Sequence, residues 1–485
     1  MGILSIITWL PLVGGLLILA LPKQQVRLIQ GVAIGASAMS FVLAWQLIAS
    51  FDATSPALQF VERMAWVPEM GMSYTLGVDG LSFPMLLLTT LMSLVAVVAS
   101  VRITERAKAY MAWLMLLETA MLGVFVAQDW FLFYMYYEIT LIPMFFLIGV
   151  WGGKNKGPAS MSFFLYTLGG SVFMLLGIIA VYLNNPGHSF DMLQLAQVHT
   201  GWSPDFKLLV FAAFFIGLAV KIPAFPLHGW LPLAHVEAPI PVSVLLSAVL
   251  LKMGGYGLVR VSGMLPEGIA WFAPVLFVLG LINIVYGALM AWRQTDLKAM
   301  VAFSSISHMG FVLLGLSALT ATGLTGVVMQ MFTHGVIVGA LFLLVGCLYE
   351  RAQTREVGDF SGLAQRVPVF SVLMSLTLLA SMGLPGLAGF ISEFHALVGG
   401  FERWGLWVAV ASLGIVITAA YSLRTINQMF LGAFDKRWEH MTDLNTREVL
   451  TLAPLVMLMV GLGVFPGAAL QLMGSTLASI AAAIK

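Results

Sequence analysis

Charge is what this sequence has least of. Only 9% of its 485 residues are Asp, Glu, Lys or Arg, whereas 60% are hydrophobic. A chain so composed has too little polar surface to clothe a water-soluble core, and the composition predicts a polytopic membrane protein. The formal net charge is +1 and the basic residues are dispersed among short loops, so no clustered basic face exists to hold a nucleic-acid backbone. Cysteine is almost missing too. Cys347, alone in GALFLLVGCLYE, excludes an intrachain disulfide and any four-cysteine cluster or zinc site. No metal site is expected, and no redox centre held by this chain alone.

Apolar runs fill the sequence instead. Stretches of about 20 residues, each enough to cross the hydrocarbon of a bilayer, recur at 2–22, 28–49, 78–101, 109–127, 129–151, 160–183, 206–228, 239–262, 268–292, 299–319, 324–349, 368–397, 404–430 and 448–478. The expected fold is all-α and polytopic, with about fourteen transmembrane helices. The first run resembles a signal peptide in length but lacks a basic leading segment, and the pattern continues after it, so it reads as helix one, uncleaved.

Loop charge orients the helices, because Lys and Arg concentrate in cytoplasmic loops. Loops after odd-numbered helices carry Lys23 and Arg27; Arg102, Arg106 and Lys108; Lys154 and Lys156; Arg293 and Lys298; Arg351, Arg355 and Arg366; and Lys436, Arg437 and Arg447. Loops after even-numbered helices carry chiefly Arg63, Lys207, Arg260 and Arg403. Both termini are therefore expected on the outer side of the membrane.

Two runs cannot be plain helices. In KIPAFPLHGWLPLAH, Pro223, Pro226 and Pro232 each remove a backbone donor and clash with the preceding turn. SMGLPGLAGFISEF carries Gly383, Pro385, Gly386 and Gly389. Irregular backbone at that depth must be buried in protein or line a hydrated cavity, and broken helices in corresponding halves of a chain point to transporter repeats and an ion site. The spacing suggests helices one to three at 1–108, a five-helix repeat at 109–262, a second at 268–430, and a last helix at 431–485. An odd number of helices per repeat inverts the second copy.

A few ionisable residues sit inside these apolar segments. By position, Glu138 is in the middle of helix five, Lys221 just before the break in helix seven, Lys252 in the middle of helix eight, His308 in helix ten, His334 in helix eleven and Glu393 just after the break in helix twelve. A charge at mid-bilayer is costly, roughly 2.5–3.5 kcal/mol on insertion scales, and such residues mark ion pathways or proton relays. A Glu and a Lys that can pair or separate form a switchable donor and acceptor, since pairing and burial act on proton affinity in opposite senses. His228, His235 and Glu237 are candidate channel residues beside the first break. Blander readings stand beside these: Glu138 and Lys221 as a static ion pair, His308 and His334 as packed, hydrogen-bonded side chains, His228 and His235 as caps for freed carbonyls, and Glu118, in LMLLETAML, as a structural partner.

KIPAFPLHGWLPLAHVEAP, LLKMGGYGLVR, QTDLKAMVAFSSISHMGF and GLPGLAGFISEF resemble the signature segments of the subunit M family of bacterial NADH-quinone oxidoreductase, respiratory complex I. The resemblance spans about 78–470 and implies an antiporter-like membrane-arm subunit that translocates a proton when quinone is reduced elsewhere in the complex. By motif, Glu138 resembles the family's helix-five glutamate, Lys221 its broken-helix lysine, Lys252 its central lysine, His308 and His334 its central-axis histidines, and Glu393 the glutamate leading to the next subunit. It further implies that NADH, FMN, iron–sulfur clusters and quinone belong to partner subunits, with no cofactor in this chain, and that neighbouring membrane-arm subunits and lipid are its partners. Leu233 departs from the family's usual aspartate, and Ile240 and Pro241 from its small residues, leaving Glu237 or water to serve the cytoplasmic mouth. Other assignments compatible with the residues are a subunit of a multisubunit sodium/proton antiporter, a ferredoxin-linked complex I variant, or an inert membrane scaffold.

Overall fold

A backbone in lipid must satisfy its own polar groups, which favours helix throughout. The computed structural model describes residues 2–484. Its helices are α1 (Ile3–Ala20), α2 (Val26–Gln46), α3 (Ser82–Ala99), α4 (Ala107–Val126), α5 (Trp130–Ile139), α6 (Leu141–Trp151), α7 (Lys156–Asn184), α8 (Met192–Val198), α9 (Pro204–Lys221), α10 (Trp230–Glu237), α11 (Ile240–Leu245), α12 (Leu251–Met264), α13 (Pro266–Trp292), α14 (Leu297–Ser317), α15 (Ala321–Ala352), α16 (Pro368–Ser381), α17 (Ala388–Trp404), α18 (Ala409–Phe430), α19 (Thr446–Val464) and α20 (Gly467–Ile484).

Among the described residues, thirteen helical stretches are long and apolar enough to cross a membrane. The number differs from the expected fourteen because α9 and α10 are halves of one broken helix, α16 is cut from α17, α17 runs through a short turn into α18, and the run at 448–478 is two helices. That last break has a simple cause. Phe465 N donates to Gly461 O at 2.7 Å, and Pro466, with no N–H, cannot make the next bond.

Loop contacts sort the helix ends onto two faces. On one, Arg102 pairs with Glu350 and Glu448, Arg351 with Glu448 (2.6 Å), and Arg355 with Asp296 (2.8 Å). This is the face of the basic loops. On the other, Arg63 pairs with Asp191, Lys207 with Glu267 (2.6 Å), Gly80 N donates to Thr476 Oγ1 (2.9 Å) and Ser475 Oγ to Ala53 O (2.7 Å). The last two bonds hold α20 on the face opposite the basic loops, where it packs against α12, α13 and α15.

A β-hairpin occupies that opposite face, with β1 (Gln59–Val67) antiparallel to β2 (Met72–Val78). Glu62 on β1 accepts from the backbone N–H of Gly2 (3.0 Å), Leu4 (2.8 Å) and Ser5 (3.1 Å), so it supplies acceptors that the first turn of α1 otherwise lacks. A search for apolar runs passes over this hairpin. Its signal is the β-rich QFVERMAWV, a PEMG turn and SYTLGV.

Two devices recur upside down. Asp129 caps α5 by accepting from Phe131 N and Leu132 N, and it bridges to Asp191 after α7. Asp296 caps α14 by accepting from Lys298 N and Ala299 N, and it bridges to Glu356 after α15. The first lies on the hairpin face and the second on the basic face. The helix breaks behave likewise: α9 stops at Lys221 and α10 resumes at Trp230 toward the basic face, whereas α16 stops at Ser381 and α17 resumes at Ala388 away from it.

Pro223 and Pro226 fall in the first break, and Gly383, Pro385 and Gly386 in the second. Gly383 and Gly386 adopt φ +75 and +90, a region open to glycine at no steric cost. The first break is clamped by Asn283 of α13, whose Oδ1 accepts from Phe225 N (2.8 Å) while its Nδ2 donates to Pro223 O (3.1 Å).

At the centre, α12, α14 and α15 are buried along nearly their whole length. The turn before α12, Leu246–Leu250, is a π-helix, a widened turn that is frequent at functional sites. Gly335 lets α15 approach it, since a Cβ there would lie 2.9 Å from Ala248 O.

Candidate functional site: a buried row of ionisable side chains

The π turn positions Lys252 by leaving the Ser247 carbonyl to a side chain. Lys252 Nζ donates to Ser247 O at 2.5 Å and contacts His334 Nδ1 at 2.7 Å. An ammonium only donates, so while Lys252 is charged, His334 Nδ1 accepts and the ring carries its proton on Nε2. His308 Nε2 donates to Ser381 O at 2.8 Å, which leaves Nδ1 as the acceptor of the neutral ring. His334 Nε2 and His308 Nδ1 are both buried without a partner, and the ring centroids are 5.3 Å apart. Between these rings and Glu393 lies a cavity of about 10 Å³, lined also by Gln330, Thr333 and Gly389 and near the size that admits one water. His308 Nε2 is 3.7 Å from Glu393 Oε1. Four of the six expected residues thus form one continuous line.

The other two are arranged differently. Lys221 Nζ donates to Thr140 Oγ1 (3.2 Å) and stands 4.6 Å from the centroid of the Tyr137 ring, a cation–π contact that partly offsets its burial. Among the described residues no ion pair joins Lys221 to Glu138, and Glu138 Oε1 is buried without a hydrogen bond. The static-pair reading therefore does not describe their geometry. Thr140 sits at the junction of α5 and α6, where Pro143 lacks the N–H that would bond Ile139 O.

The candidate channel residues separate. His235 is fully buried, its ring stacked on Phe342 (4.7 Å, 9°) and both ring nitrogens unpartnered. His228 stays outside the row, with Nε2 3.2 Å from Tyr286 Oη and its ring stacked on Phe225. Glu237 Oε2 accepts from Asn155 N (2.9 Å) at a vestibule of about 730 Å³ on the basic face. Leu233 is 54% exposed on α10. Glu118 Oε2 accepts from Ser37 Oγ at 2.6 Å, away from the row.

Of the residues counted as loop charges, Lys298 is buried and Arg260 nearly so. Arg260, on α12, makes a bidentate pair with Asp79 (2.6 and 2.8 Å). Burial pushes the Asp79 carboxyl up, and the charge and hydrogen bonds of Arg260 outweigh that and hold it below the usual range. Lys298 is 2% exposed. The available signal for Arg260 was its place in an apolar run; for Lys298 it was a cation in the first turn of a helix, where the dipole disfavours one.

The sequence pattern described as "NADH:quinone oxidoreductase/Mrp antiporter, TM" matches residues 127–418. The chain is 40% identical to NADH-quinone oxidoreductase subunit M of Rhodobacter capsulatus, covering 99% of this chain and 96% of that one. It belongs to the NADH:quinone oxidoreductase/Mrp antiporter membrane-subunit family. NAD(P)H-quinone oxidoreductase chain 4 1 of a Synechococcus strain is 39% identical over 99% of this chain and 93% of that one. A chain of respiratory complex I from Thermus thermophilus superposes with a TM-score of 0.90 at 30% identity, covering 99% and 100% of the two chains. A chain of the Mrp complex from Dietzia shares the fold, with a TM-score of 0.87 at 21% identity over 99% and 98%. Every residue of the row lies inside the family match, whereas α1–α4, the hairpin, α19 and α20 lie outside it. Among the described residues no three His, Cys, Asp or Glu side chains gather as a metal site.

Proposed function

We propose that this chain is a proton-translocating membrane-arm subunit of an NADH-quinone oxidoreductase, driven by quinone reduction in partner subunits. The observation that carries the reading is the line Lys252–His334–His308–Glu393. Lys252 passes a proton to His334 Nδ1, and His334 releases its own from Nε2. The proton crosses the small cavity to His308 Nδ1, whose Nε2 proton leaves toward Glu393. Each imidazole gains one proton and loses one, so only charge moves.

Glu138 and Lys221 form the input half, controlling the charge of Lys252 from the neighbouring helices. The upside-down recurrence of the Asp caps and of the helix breaks supports two inverted five-helix repeats, roughly 109–262 and 268–430, preceded by 1–108 and followed by 431–485. The basic face is cytoplasmic by the loop-charge rule, which puts both termini outside a bacterial cytoplasmic membrane. NADH, FMN, iron–sulfur clusters and quinone are held by partner subunits, and this chain's part is non-redox. Identity near 40% to subunits named for NADH-quinone oxidoreductase favours this assembly over the Mrp type.

The test is proton uptake against NADH oxidation in vesicles carrying the assembled complex. Lys252→Met is expected to abolish uptake through this subunit without loss of assembly. Uptake equal to that of the unmodified complex would exclude the relay.

A further inference from the structure

The notable group outside the row is Lys298. It occupies the second position of α14, after the cap Asp296, where a cation works against the helix dipole. Its Nζ is turned inward, donating to the carbonyls of Ala238 and Val236 (3.3 Å for the latter), which flank the end of α10. Those carbonyls are open to side chains because α10 ends there: Ala238, the residue before Pro239, turns out of the helix to ψ 148, and Val236 O accepts from Arg355 as well (3.3 Å). Among the described residues no carboxylate pairs with Lys298: Asp296 is engaged by Arg355 (2.8 Å) and Glu237 by Asn155 N (2.9 Å). The ammonium is hydrogen-bonded only by neutral carbonyls, and the charges of Asp296, Glu237 and Arg355 reach it from beyond ion-pair distance.

Its surroundings give it access on both sides. Lys298 lines the vestibule of about 730 Å³ on the basic face, with Val236, Glu237, Ala238, Leu343 and Gly346. Immediately behind lies His235, one residue before Val236, stacked on Phe342 with two unpartnered ring nitrogens. The charges of Lys298 and Lys252 both act on that ring.

We propose that Lys298 is a second buried lysine of the path, through which protons of the cytoplasmic vestibule reach His235 and then Lys252 without passing Lys221. This rests on the reading of the row given above. The ammonium gives one proton to a free ring nitrogen of His235 and takes one from vestibule water. His235 releases a proton from its other nitrogen, and this proton reaches Lys252 in its amine form through intervening water, across the roughly 12 Å of α15 that separate Phe342, on which His235 stacks, from His334, which Lys252 touches. Only N–H and O–H bonds exchange, and one positive charge moves inward.

The test separates proton exchange from carbonyl capping. Lys298→Gln keeps an amide donor for the carbonyls but cannot titrate, and Lys298→Arg keeps donors and charge but does not release a proton at physiological pH. In vesicles of the assembled complex, both are expected to lower protons taken up per NADH oxidised by at least twofold. If the Arg variant fails to assemble, the Gln variant decides. Full uptake in either assembled variant would show that Lys298 only caps α10 and would overturn the inference. Lys252→Met, measured in parallel, keeps the outcomes distinct: if it pumps fully the row itself fails, and if it alone is inactive only the Lys298 step falls.

Discussion

The two broken helices share a scaffold and differ in where they put charge. Counted from the last helical residue before each break, Lys221 corresponds to Ser381 and Leu233 to Glu393. The first break therefore places a base before the gap and an apolar, half-exposed side chain after it; the second places a serine, whose carbonyl holds His308, before the gap and an acid after it. The consequence is visible in the row. Beyond Lys252 each group touches or nearly touches the next, whereas Lys221 rests on Thr140 and the Tyr137 ring with no ion pair to Glu138. One half is joined by contact and the other is not, so on the proposed reading motion or hydration has to close the input half while the output half needs little.

The largest effect is expected at the junction of the halves. Lys252→Arg should lower proton uptake at least about tenfold, the equivalent of ~1.4 kcal/mol in a barrier, because a guanidinium stays charged and cannot hand a proton to His334. Proton uptake per NADH in vesicles checks it. Full activity would mean that the site needs a fixed positive field and no exchange.

Next comes Glu393, the end of the half joined by contact. Glu393→Gln should lose most uptake and Glu393→Asp keep a measurable part, since Asp retains an exchangeable proton on a shorter arm. Gly383→Ala probes the same carboxylate from the other side. A Cβ there would lie 2.7 Å from Glu393 Oε2 on a backbone at φ +75, a strain worth about 1–3 kcal/mol, so it should lower uptake and thermal stability together.

A double-mutant cycle sharpens the comparison directly. His308 and Glu393, 3.7 Å apart, should show a coupling of 0.5 kcal/mol or more on the scale typical of contacting residues, roughly 0.5–3 kcal/mol. Glu138 and Lys221, each combined as Gln and Met variants, should show less in the thermal stability of the complex, although each is expected to abolish pumping singly. Equal couplings would erase the distinction between the two halves.

Much of this was legible in the sequence because membrane depth is counted in residues. Lys252, His308 and His334 stand near the middle of runs whose length the bilayer fixes, so their common level followed from spacing, while Glu393 was placed by the break that precedes it. Helix breaks were legible for the same local reason: Pro223, Pro226, Pro385 and the glycines act within a turn. What spacing could not give was azimuth. Whether Glu138 meets Lys221, whether His228 or His235 turns inward, and whether Lys298 and Arg260 sit in loops or in protein depend on which side of a helix faces which neighbour, and helices apolar all round carry little sign of it. The hairpin escaped because its strands are short and mixed in character beside runs of about 20 apolar residues.

The smallest effect is expected at His228, and it tests azimuth at the first break. His228 and His235 are seven residues apart on one broken segment, but the turn at 222–229 sends them to different sides: His235 inward onto Phe342, and His228 onto Tyr286 of α13. His228→Phe would keep the stack on Phe225 and lose one hydrogen bond to a hydroxyl, a cost of about 0.5–1.5 kcal/mol. Uptake should stay within twofold of the unmodified complex, while His235→Phe, at a ring with two free nitrogens between Lys298 and Lys252, should lower it severalfold. The comparison is internal, since both substitutions remove one imidazole from the same segment and differ only in which wall the ring faces. If His228→Phe proves the more damaging, protons pass along the α13 side of the break, and the input half must be redrawn through Tyr286 and Asn283.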